Sequence, residues 1–161
     1  MPHFFDMKIE KLKKSDVGRV SSLLRELFFG MDKVFPKHAL SNFDFENSED
    51  EISRLMGRNN RIYLVAKDGN EIMGVAHGYH YGGVFYLVWL GVKEKFRGSG
   101  VGSALLRGLE KRVSKRCHKI YLISAVDLGA LKFYEKNGYQ CEGLLRKGWW
   151  SVDYYSLGKI L

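Results

Sequence analysis

The chain has 161 residues and a mass of 18.5 kDa, and its 45% hydrophobic and 27% charged residues are typical of one folded domain, not of a disordered segment. Its 26 Lys and Arg against 18 Asp and Glu give a formal net charge of +8, which permits phosphate-bearing partners without selecting one. Two cysteines cannot form a disulfide framework and the charged start lacks the apolar stretch of a secretory signal, so residues 1–161 are expected to form one cytoplasmic domain.

The first elements are predicted to be a strand and an amphipathic helix. Residues 7–12 favour a strand, and apolar residues at helical spacing over 17–28 predict a helix capped by Ser15 or Asp16. Residues 35–47 are aromatic and are predicted to be irregular, which is typical of a segment that covers a site.

A short helix and three strands are predicted next. Ser48 with Glu51 three residues later forms a capping box that starts the helix. Strands over 62–67 and 71–81 flank an Asp-Gly pair, which is a strong hairpin signal, and Val84–Val92 is predicted as the third strand.

Residues 72–92 contain no Asp, Glu, Lys or Arg and are long enough to cross a bilayer. Gly82-Gly83 interrupts the middle of this stretch and is typical of a hairpin turn between two β-rich runs. Two buried strands are therefore predicted in place of a transmembrane helix, and no membrane partner is expected.

The second half of the chain is predicted to alternate helices and strands. A long helix with a basic outer face begins near Gly100, and a strand over 120–126 and a short helix that stops at an Asn-Gly pair follow it. Two strands over 139–150 and 152–160 end the chain. This order predicts an α/β (α+β) fold with a mixed sheet of about seven strands and helices on both faces.

The segment over residues 90–103 carries the clearest chemical signal. A buried strand enters a glycine-rich turn that opens the long helix, so backbone N–H groups and the helix dipole favour an anion, and Arg97 adds a charged donor. A Walker loop would need Gly-Lys-Ser/Thr, which is absent. A dinucleotide fingerprint fits poorly at Ser103, and too little chain follows for two nucleotide-binding halves. A turn without any ligand is the remaining alternative.

The run Arg-Gly-Ser-Gly-Val-Gly at 97–102 matches the Arg/Gln-x-x-Gly-x-Gly/Ala loop of the GNAT superfamily of N-acetyltransferases, which the chain resembles. Leu90 and Val92 stand where that family has its Leu-x-Val strand end. The resemblance covers about residues 7–161 and implies one N-acetyltransferase domain.

A second motif supports the same resemblance. Asp127, Ala130 and Tyr134, followed by Glu-Lys-Asn-Gly, are similar to the family's Asn-x-x-Ala-x-x-x-Tyr-Glu-Lys-x-Gly helix. Residues 142–146 also resemble the strand that follows this helix in many members. The loop and the tyrosine helix at this spacing are together more specific than either motif alone.

The resemblance implies acetyl-CoA as the cosubstrate, with no metal. Its pyrophosphate is expected on the backbone amides of the loop and its pantetheine arm along the strand end, with one amide polarising the thioester carbonyl. Two parallel strands of a mostly antiparallel sheet are expected to splay apart near Val92 and Val126 to admit it. The residues implied to bind acetyl-CoA are Leu90, Gly91, Val92, Arg97, Gly98, Ser99, Gly100, Val101, Gly102, Ser103, Asp127 and Tyr134.

The resemblance also implies that Tyr134 is the general acid that protonates the departing CoA thiolate, the alternative being a tyrosine packed in the core. Asp127 replaces the usual Asn, and a carboxylate cannot donate the amide hydrogen bond. Where histone acetyltransferases carry a carboxylate base, this chain has Tyr86, so no general base is identified. The candidates are a water molecule, His77, His80 and Glu94.

The resemblance implies direct transfer to a primary amine, and this agrees with the sequence, in which neither cysteine lies in a nucleophilic pattern with His. Aromatic residues are dense over 35–45, 79–89 and 149–155, while acidic residues concentrate only over 44–51. A polyamine or a polycationic antibiotic is therefore not strongly indicated as the acceptor. A peptide or protein amine and a small-molecule amine both stay open.

Other functions and partners remain open at this stage. The basic run over residues 107–119 could meet the 3′-phosphate of CoA or form a solvated helix face. No nucleic-acid motif accompanies it, so no nucleic-acid partner is expected, and a homodimer is compatible with the resemblance. The alternative functions are a non-catalytic acyl-CoA-binding sensor and a nucleic-acid-binding module.

Overall fold

Runs of β-branched and aromatic residues form one seven-stranded sheet in the computed structural model, which describes residues 6–161. The strands are β1 (Met7–Lys11), β2 (Arg61–Asp68), β3 (Glu71–Tyr81), β4 (Val84–Val92), β5 (Lys119–Ala125), β6 (Gln140–Leu145) and β7 (Tyr154–Ile160). Their order is β1-β2-β3-β4-β5-β7-β6, and every neighbouring pair is antiparallel except β4 and β5. The predicted mixed, mostly antiparallel sheet is confirmed. Residues 1–5, the start of the segment considered as a secretory signal, lie outside the described residues.

Five α-helices cover the two faces of the sheet: α1 (Val17–Phe29), α2 (Lys37–Glu46), α3 (Glu49–Met56), α4 (Val101–Val113) and α5 (Leu131–Lys136). Helices α4 and α5 pack on one face, where Leu105 and Leu109 are fully buried against Phe85. Helices α1 to α3 pack on the other face, where Leu23 and Ile52 are almost completely buried. Each such side chain contributes about 2 kcal/mol of apolar burial.

The parallel pair β4 and β5 separates after three residues. Pairing runs from Val84 with Lys119 to Tyr86 with Tyr121, and the remaining residues of these two strands are not paired with each other. The register of β4 against β3 shifts between His77 and Gly78, which leaves Val88 of β4 as an extra residue. Such a bulge bends a strand and increases its twist. The expected splay is therefore present and has a local cause.

The uncharged stretch over residues 72–92 belongs to the hairpin of β3 and β4. Gly82 and Gly83 connect the strands with φ of 59° and 78°, a conformation that glycine adopts without strain. Within the described residues, no helix has the length and hydropathy needed to cross a membrane. The prediction of two strands here is confirmed.

The prediction that residues 35–47 are irregular is wrong, because Lys37–Glu46 forms α2. Ala39 and Phe43 lie four residues apart and are both buried, which is the spacing of a helix face. Asn47 ends the helix, and its side-chain amide donates to Phe43 O at 2.8 Å. The density of aromatic residues obscured a short helix that covers the central strands.

Two further local predictions need correction. The strand predicted over residues 139–150 ends with β6 at Leu145, and a turn with left-handed residues follows it. Asp16 takes the N-cap position of α1, yet its side chain caps no amide. Burial alone would raise the pKa of Asp16, but hydrogen bonds from Lys67 and Arg19 hold it below its ordinary value. Ser48 does cap α3, accepting from Glu51 N at 3.4 Å, but the reciprocal half of the predicted capping box is absent, because Ser48 N donates to Phe45 O.

Candidate functional site

A turn with two left-handed glycines joins β4 to α4. Gly98 and Gly100 have φ of 75° and 87°, which other residues adopt only at a cost of roughly 1–2 kcal/mol. A Cβ atom at either position would meet nothing within 4 Å, so the backbone here faces open space. The first bond of α4 runs from Ala104 N to Gly100 O at 3.0 Å, so the N–H groups at the start of the helix have no acceptor within it.

This turn borders a cavity of about 430 Å³, called here the loop cavity. Its charged lining side chains are Arg97 and Lys136, both cations, and Arg97 Nε donates to Val92 O at 3.4 Å. Together with the start of α4 they make the cavity attractive to an anion. The lining residues are Leu90, Val92, Phe96, Arg97, Gly98, Gly100, Val101, Gly102, Ser103, Ala130, Phe133, Tyr134 and Lys136.

Three of the residues predicted to bind the cosubstrate lie outside the loop cavity. Gly91 is buried beneath α1, where a Cβ atom would overlap the side chain of Leu27. Ser99 is exposed and its hydroxyl donates to Phe96 O. Asp127 is exposed and makes no hydrogen bond with any described residue. The other predicted residues all line the cavity.

A second cavity of about 360 Å³, called here the central cavity, occupies the gap between β4 and β5. Residues 86–90 of β4 and 122–125 of β5 form its sides. Gly78 makes the gap possible, because a Cβ atom there would overlap the carbonyl oxygen of Tyr86 at the bulge. The two strands therefore leave a cleft in the middle of the sheet.

Tyr134 stands where the two cavities meet, since Leu90, Ala130 and Tyr134 line both of them. The side chain is 8% exposed, and burial raises the pKa of its phenol well above the ordinary value. Its hydroxyl makes no hydrogen bond with any described residue, while its ring contacts Phe133 and Tyr139. The phenol is therefore a protonated donor between the two cavities.

Aromatic side chains form the wall of the central cavity that faces α2. Phe43 packs against Trp89 with ring centroids 5.1 Å apart, and against Phe35 at the same distance. Tyr154 Oη donates to Trp149 O at 2.9 Å. The aromatic residues that line the cavity are Phe35, Phe43, Tyr86, Trp89, Tyr134, Trp149, Trp150 and Tyr154.

The turn between β6 and β7 holds one of these aromatic residues, Trp150, in a strained conformation. Trp150 and Ser151 have φ of 64° and 58°, which residues with side chains rarely adopt. A backbone hydrogen bond from Gly148 N to Val152 O and a hydrogen bond from Lys147 N to the side-chain Oδ1 of Asp153 close the turn. The sequence pattern predicted a strand here and gave no sign of this turn.

Glu46, the last residue of α2, is the one carboxylate among residues 6–161 that lines the central cavity. Its Oε1 accepts a hydrogen bond from Asn42 Nδ2 at 2.7 Å, which orients the side chain. The nearby Asp44 and Glu51 are instead paired with Arg25 and Arg54. In the sequence, Glu46 is one of several acidic residues over 44–51. Only its position on the α2 helix distinguishes it from the others, because that position turns it towards the central cavity.

His77 does not line either cavity and is a structural residue. Its ring stacks on the ring of Tyr63 with the two centroids 4.4 Å apart, and its Nε2 lies 3.2 Å from Asn47 Oδ1. Because the Asn47 amide nitrogen donates to Phe43, its oxygen faces His77, so Nε2 carries the proton. Burial lowers the pKa of His77 to about 3, which keeps the ring neutral.

The other base candidates, His80 and Glu94, are not among the described residues that line the central cavity either. His80 lines a different cavity near the end of α4, and Glu94 is exposed on a 3₁₀ turn of the loop. Burial, with Tyr79 and Tyr121 nearby, raises the pKa of Tyr86 to about 12. Within residues 6–161, no three His, Cys, Asp or Glu side chains come together as a metal site.

Comparison with known proteins links this geometry to one family. The model of the acetyltransferase (GNAT) family matches residues 21–139, which include the loop and Tyr134. A curated relative, acetyltransferase ECA0875 from Pectobacterium atrosepticum, is 35% identical over 122 residues. That match covers 73% of this chain and 77% of the relative.

Solved structures share the fold at lower identity. The PaiA N-acetyltransferase of Thermoplasma acidophilum, solved with coenzyme A, matches with a TM-score of 0.82 and 18% identity over 97% of this chain and 99% of its own. The aminoglycoside 6′-N-acetyltransferase of Enterococcus faecium matches with a TM-score of 0.73 and 22% identity over 95% and 96%. At these identities the likeness extends to the fold.

Proposed function

The chain belongs to the GNAT acetyltransferase family and is an acetyl-CoA-dependent N-acetyltransferase, and from this premise we propose how its own residues perform the transfer. One observation carries the proposal: Tyr134 borders both the loop cavity and the central cavity. The loop cavity would hold the phosphates of acetyl-CoA, and the central cavity would hold the acceptor amine. The reaction would then take place where the two cavities meet.

The residues of the loop fit the cosubstrate. Gly98 and Gly100 leave open space beside the backbone, and Arg97 and Lys136 supply positive charge with no carboxylate in the lining. The unpaired edge of β4 after Tyr86 offers backbone groups to an extended arm. When bound, acetyl-CoA supplies the acetyl group as a thioester.

Tyr134 would act as the general acid. Its raised pKa keeps a proton on Oη throughout the ordinary assay range, and no described residue competes for that proton. The burial that raises this pKa also makes the phenol a weaker acid than an exposed tyrosine, so Oη would first donate a hydrogen bond to the developing thiolate. The proton that it then transfers would be replaced by the proton that the attacking amine releases. The burial of Tyr134 would strengthen the hydrogen bond from its Oη to the thiolate, because the local dielectric constant is low.

The amine would attack the thioester directly. Neither Cys117, which is buried beneath α4, nor Cys141, which is exposed on β6, lines the central cavity. Burial also raises the pKa of the Cys117 thiol, which disfavours the nucleophilic thiolate. Glu46 would hold the ammonium form of the amine in the central cavity. A water molecule would then accept a proton from the ammonium group, so that the neutral amine can attack.

The lining of the central cavity favours a primary monoamine with an apolar body. Several aromatic rings and a single carboxylate suit one cationic group beside an apolar one, since cations also bind aromatic faces. A polyamine or an aminoglycoside carries several charges and would need several carboxylates. The amino terminus of a peptide with a large apolar first residue and an aralkylamine both meet these requirements.

The test follows thiol release from acetyl-CoA with a panel of amines and an amine-free control. We expect the highest kcat/KM with 2-phenylethylamine or with a peptide that begins with Phe or Leu, and low values with spermidine and kanamycin. Glu46→Gln should raise the KM of the preferred amine by about tenfold, the effect of losing one charge-assisted contact. Glu26→Gln, an exposed carboxylate on α1, is the matched control.

Each result of the panel has a definite meaning. Preference for spermidine or kanamycin would overturn the monoamine proposal while keeping acetyl transfer. Acetyl-CoA binding without thiol release in the presence of any amine would favour a non-catalytic acyl-CoA-binding sensor. This sensor is the second candidate function, because no His or Cys of the described residues lines the central cavity.

A further inference from the structure

A third cavity opens at the opposite end of α4 from the glycine-rich loop. It has a volume of about 780 Å³ and is formed by the end of β1, the turn between α3 and β2, and the residues that close α4. Six cationic side chains line it, and we call it the basic cavity. They are Lys11, Arg58, Arg61, Arg112, Lys115 and Arg116.

The cations of the basic cavity are not neutralised by ion pairs within the described part of the chain. Its lining contains no Asp or Glu, and none of the six cations forms an ion pair within residues 6–161. Elsewhere Lys67, Lys119 and Lys159 each meet a carboxylate within 4 Å. Six like charges around one concavity repel each other, and an anion placed among them would remove that repulsion.

Two of the six cations are held in place by the fold. The Arg61 guanidinium lies 4.6 Å from the centre of the Tyr79 ring. Arg112 donates to Gly108 O at 3.0 Å and to Ile9 O at 3.2 Å. Side chains fixed in this way lose less conformational entropy when a ligand binds.

The floor of the basic cavity is largely apolar. Leu12, Val113 and Cys117 line it and are each no more than 6% exposed. Tyr63 and His80 also line it, and each has a buried side-chain polar atom, Oη and Nε2, without a hydrogen-bond partner in the described part of the chain. Buried polar atoms in proteins are nearly always hydrogen-bonded, so a ligand that reached these two atoms would supply the missing partner.

We propose that the basic cavity binds a small polyanion that carries phosphate groups, with the cations on the phosphates and the floor beneath an organic part. The volume lies within the range of about 300–1,000 Å³ that is usual for small-molecule sites. The cations surround a concavity instead of following an open stripe, which favours a small ligand over a nucleic-acid backbone.

This site is separate from the one proposed for acetyl-CoA. The basic cavity and the loop cavity share no lining residue. They lie at opposite ends of α4, whose 13 residues span about 20 Å. Arg112, Lys115 and Arg116, for which the sequence allowed either the CoA 3′-phosphate or a solvated face, border the basic cavity instead.

The experiment titrates inorganic tripolyphosphate by calorimetry in the presence of saturating coenzyme A, so that the loop cavity is already filled. We expect one bound tripolyphosphate per chain. The double variant Arg58→Ala/Arg116→Ala should weaken tripolyphosphate binding by about tenfold or more, because it removes charge-assisted contacts. The control Lys33→Ala/Arg107→Ala removes the same net charge from exposed positions outside the cavity and should leave the affinity unchanged.

Equal weakening in both double variants, or no binding to the unaltered protein, would overturn the proposal. Both variants are first compared by thermal melting. If Arg58→Ala/Arg116→Ala melts earlier, the single Arg58→Ala on its exposed turn is compared with Arg107→Ala in the same way.

Two further ligands identify the source of the phosphate. ATP should bind more tightly than tripolyphosphate, since the floor would contact its base, and equal affinities would remove the organic part from the proposal. A short DNA duplex that binds more tightly than ATP, and loses more in Arg58→Ala/Arg116→Ala, would overturn the small ligand in favour of a nucleic acid.

Discussion

The two anion sites that we propose lie at opposite ends of α4, and they are built from different parts of the chain. At the first end the backbone provides the donors, because two left-handed glycines expose the N–H groups where the helix starts. At the last end the side chains provide the charge, and they come from β1, the α3–β2 turn and the residues after α4. A site made of backbone needs one continuous motif, whereas a site made of side chains needs only a fold that brings separate segments together.

We propose that the chemistry takes place at the first end of α4, and Tyr134→Phe is the sharpest test of that proposal. The change removes only a hydroxyl that bonds to no described residue, so the protein should fold normally. We expect kcat to fall by about a hundredfold or more, the usual loss for a general acid, with acetyl-CoA affinity nearly unchanged. Steady-state kinetics and calorimetry measure the two effects.

Tyr81→Phe is the matched control, because Tyr81 is 85% exposed at the end of β3. It should keep full activity. An unaltered kcat in Tyr134→Phe, with single-turnover measurements showing that chemistry limits the rate, would remove Tyr134 from the mechanism. The remaining role would be packing against Phe133 and Tyr139.

A smaller effect should follow from adding a side chain to the glycine-rich turn between β4 and α4. Gly100→Ala introduces a Cβ atom at φ 87°, with a strain of roughly 1–2 kcal/mol, in the surface proposed to meet the phosphates. We expect the dissociation constant of acetyl-CoA to rise by about tenfold or more. The dissociation constant is measured by calorimetry, and urea unfolding gives the change in stability.

Gly69→Ala separates strain from binding. Gly69 also has positive φ, and a Cβ atom there would meet nothing within 4 Å, but it lies in the β2–β3 turn, away from the loop cavity. The variant should lose similar stability and retain acetyl-CoA affinity. If the two variants lost affinity equally, the glycines would be needed for the fold and not for the ligand.

The difference between the two ends also explains what could be predicted from the sequence. The glycine loop, its helix and the strand before it are contiguous, so their residues and boundaries follow from the local pattern. The bulge at Val88 depends on the pairing of β4 with β3, and the position of Glu46 depends on how α2 packs. No local pattern contains that information.

Aromatic residues show the same limit. Their density indicated an acceptor region, but the sequence could not separate Trp150, which lines the central cavity, from Tyr155, which packs against the opposite core. Alternation along β7 decides which residue faces which side, and the left-handed backbone at Trp150 breaks any regular alternation before the strand begins. Tertiary packing therefore determines which aromatic residues line the central cavity.

The smallest predicted effect concerns the sheet interior, where His77 should contribute to stability but not to catalysis. Its pKa is about 3 in the folded protein and near 6.5 when unfolded, so the unfolded chain binds the extra proton. Stability from the neutral ring is complete above pH 6.5 and decreases as the pH falls. The free energy of unfolding should drop by up to about 1.4 kcal/mol per pH unit below that value.

Urea unfolding of the unaltered protein and His77→Gln at pH 7, 6 and 5 isolates this contribution, because the carboxylates titrate mainly below that range. The variant should be less stable at pH 7 and should show a flatter dependence on pH. Its kcat/KM profile should keep the shape of the unaltered protein, since His77 lines neither the loop cavity nor the central cavity. Loss of the acidic limb of that profile in His77→Gln would contradict the buried, structural role and return His77 to the candidates for the general base.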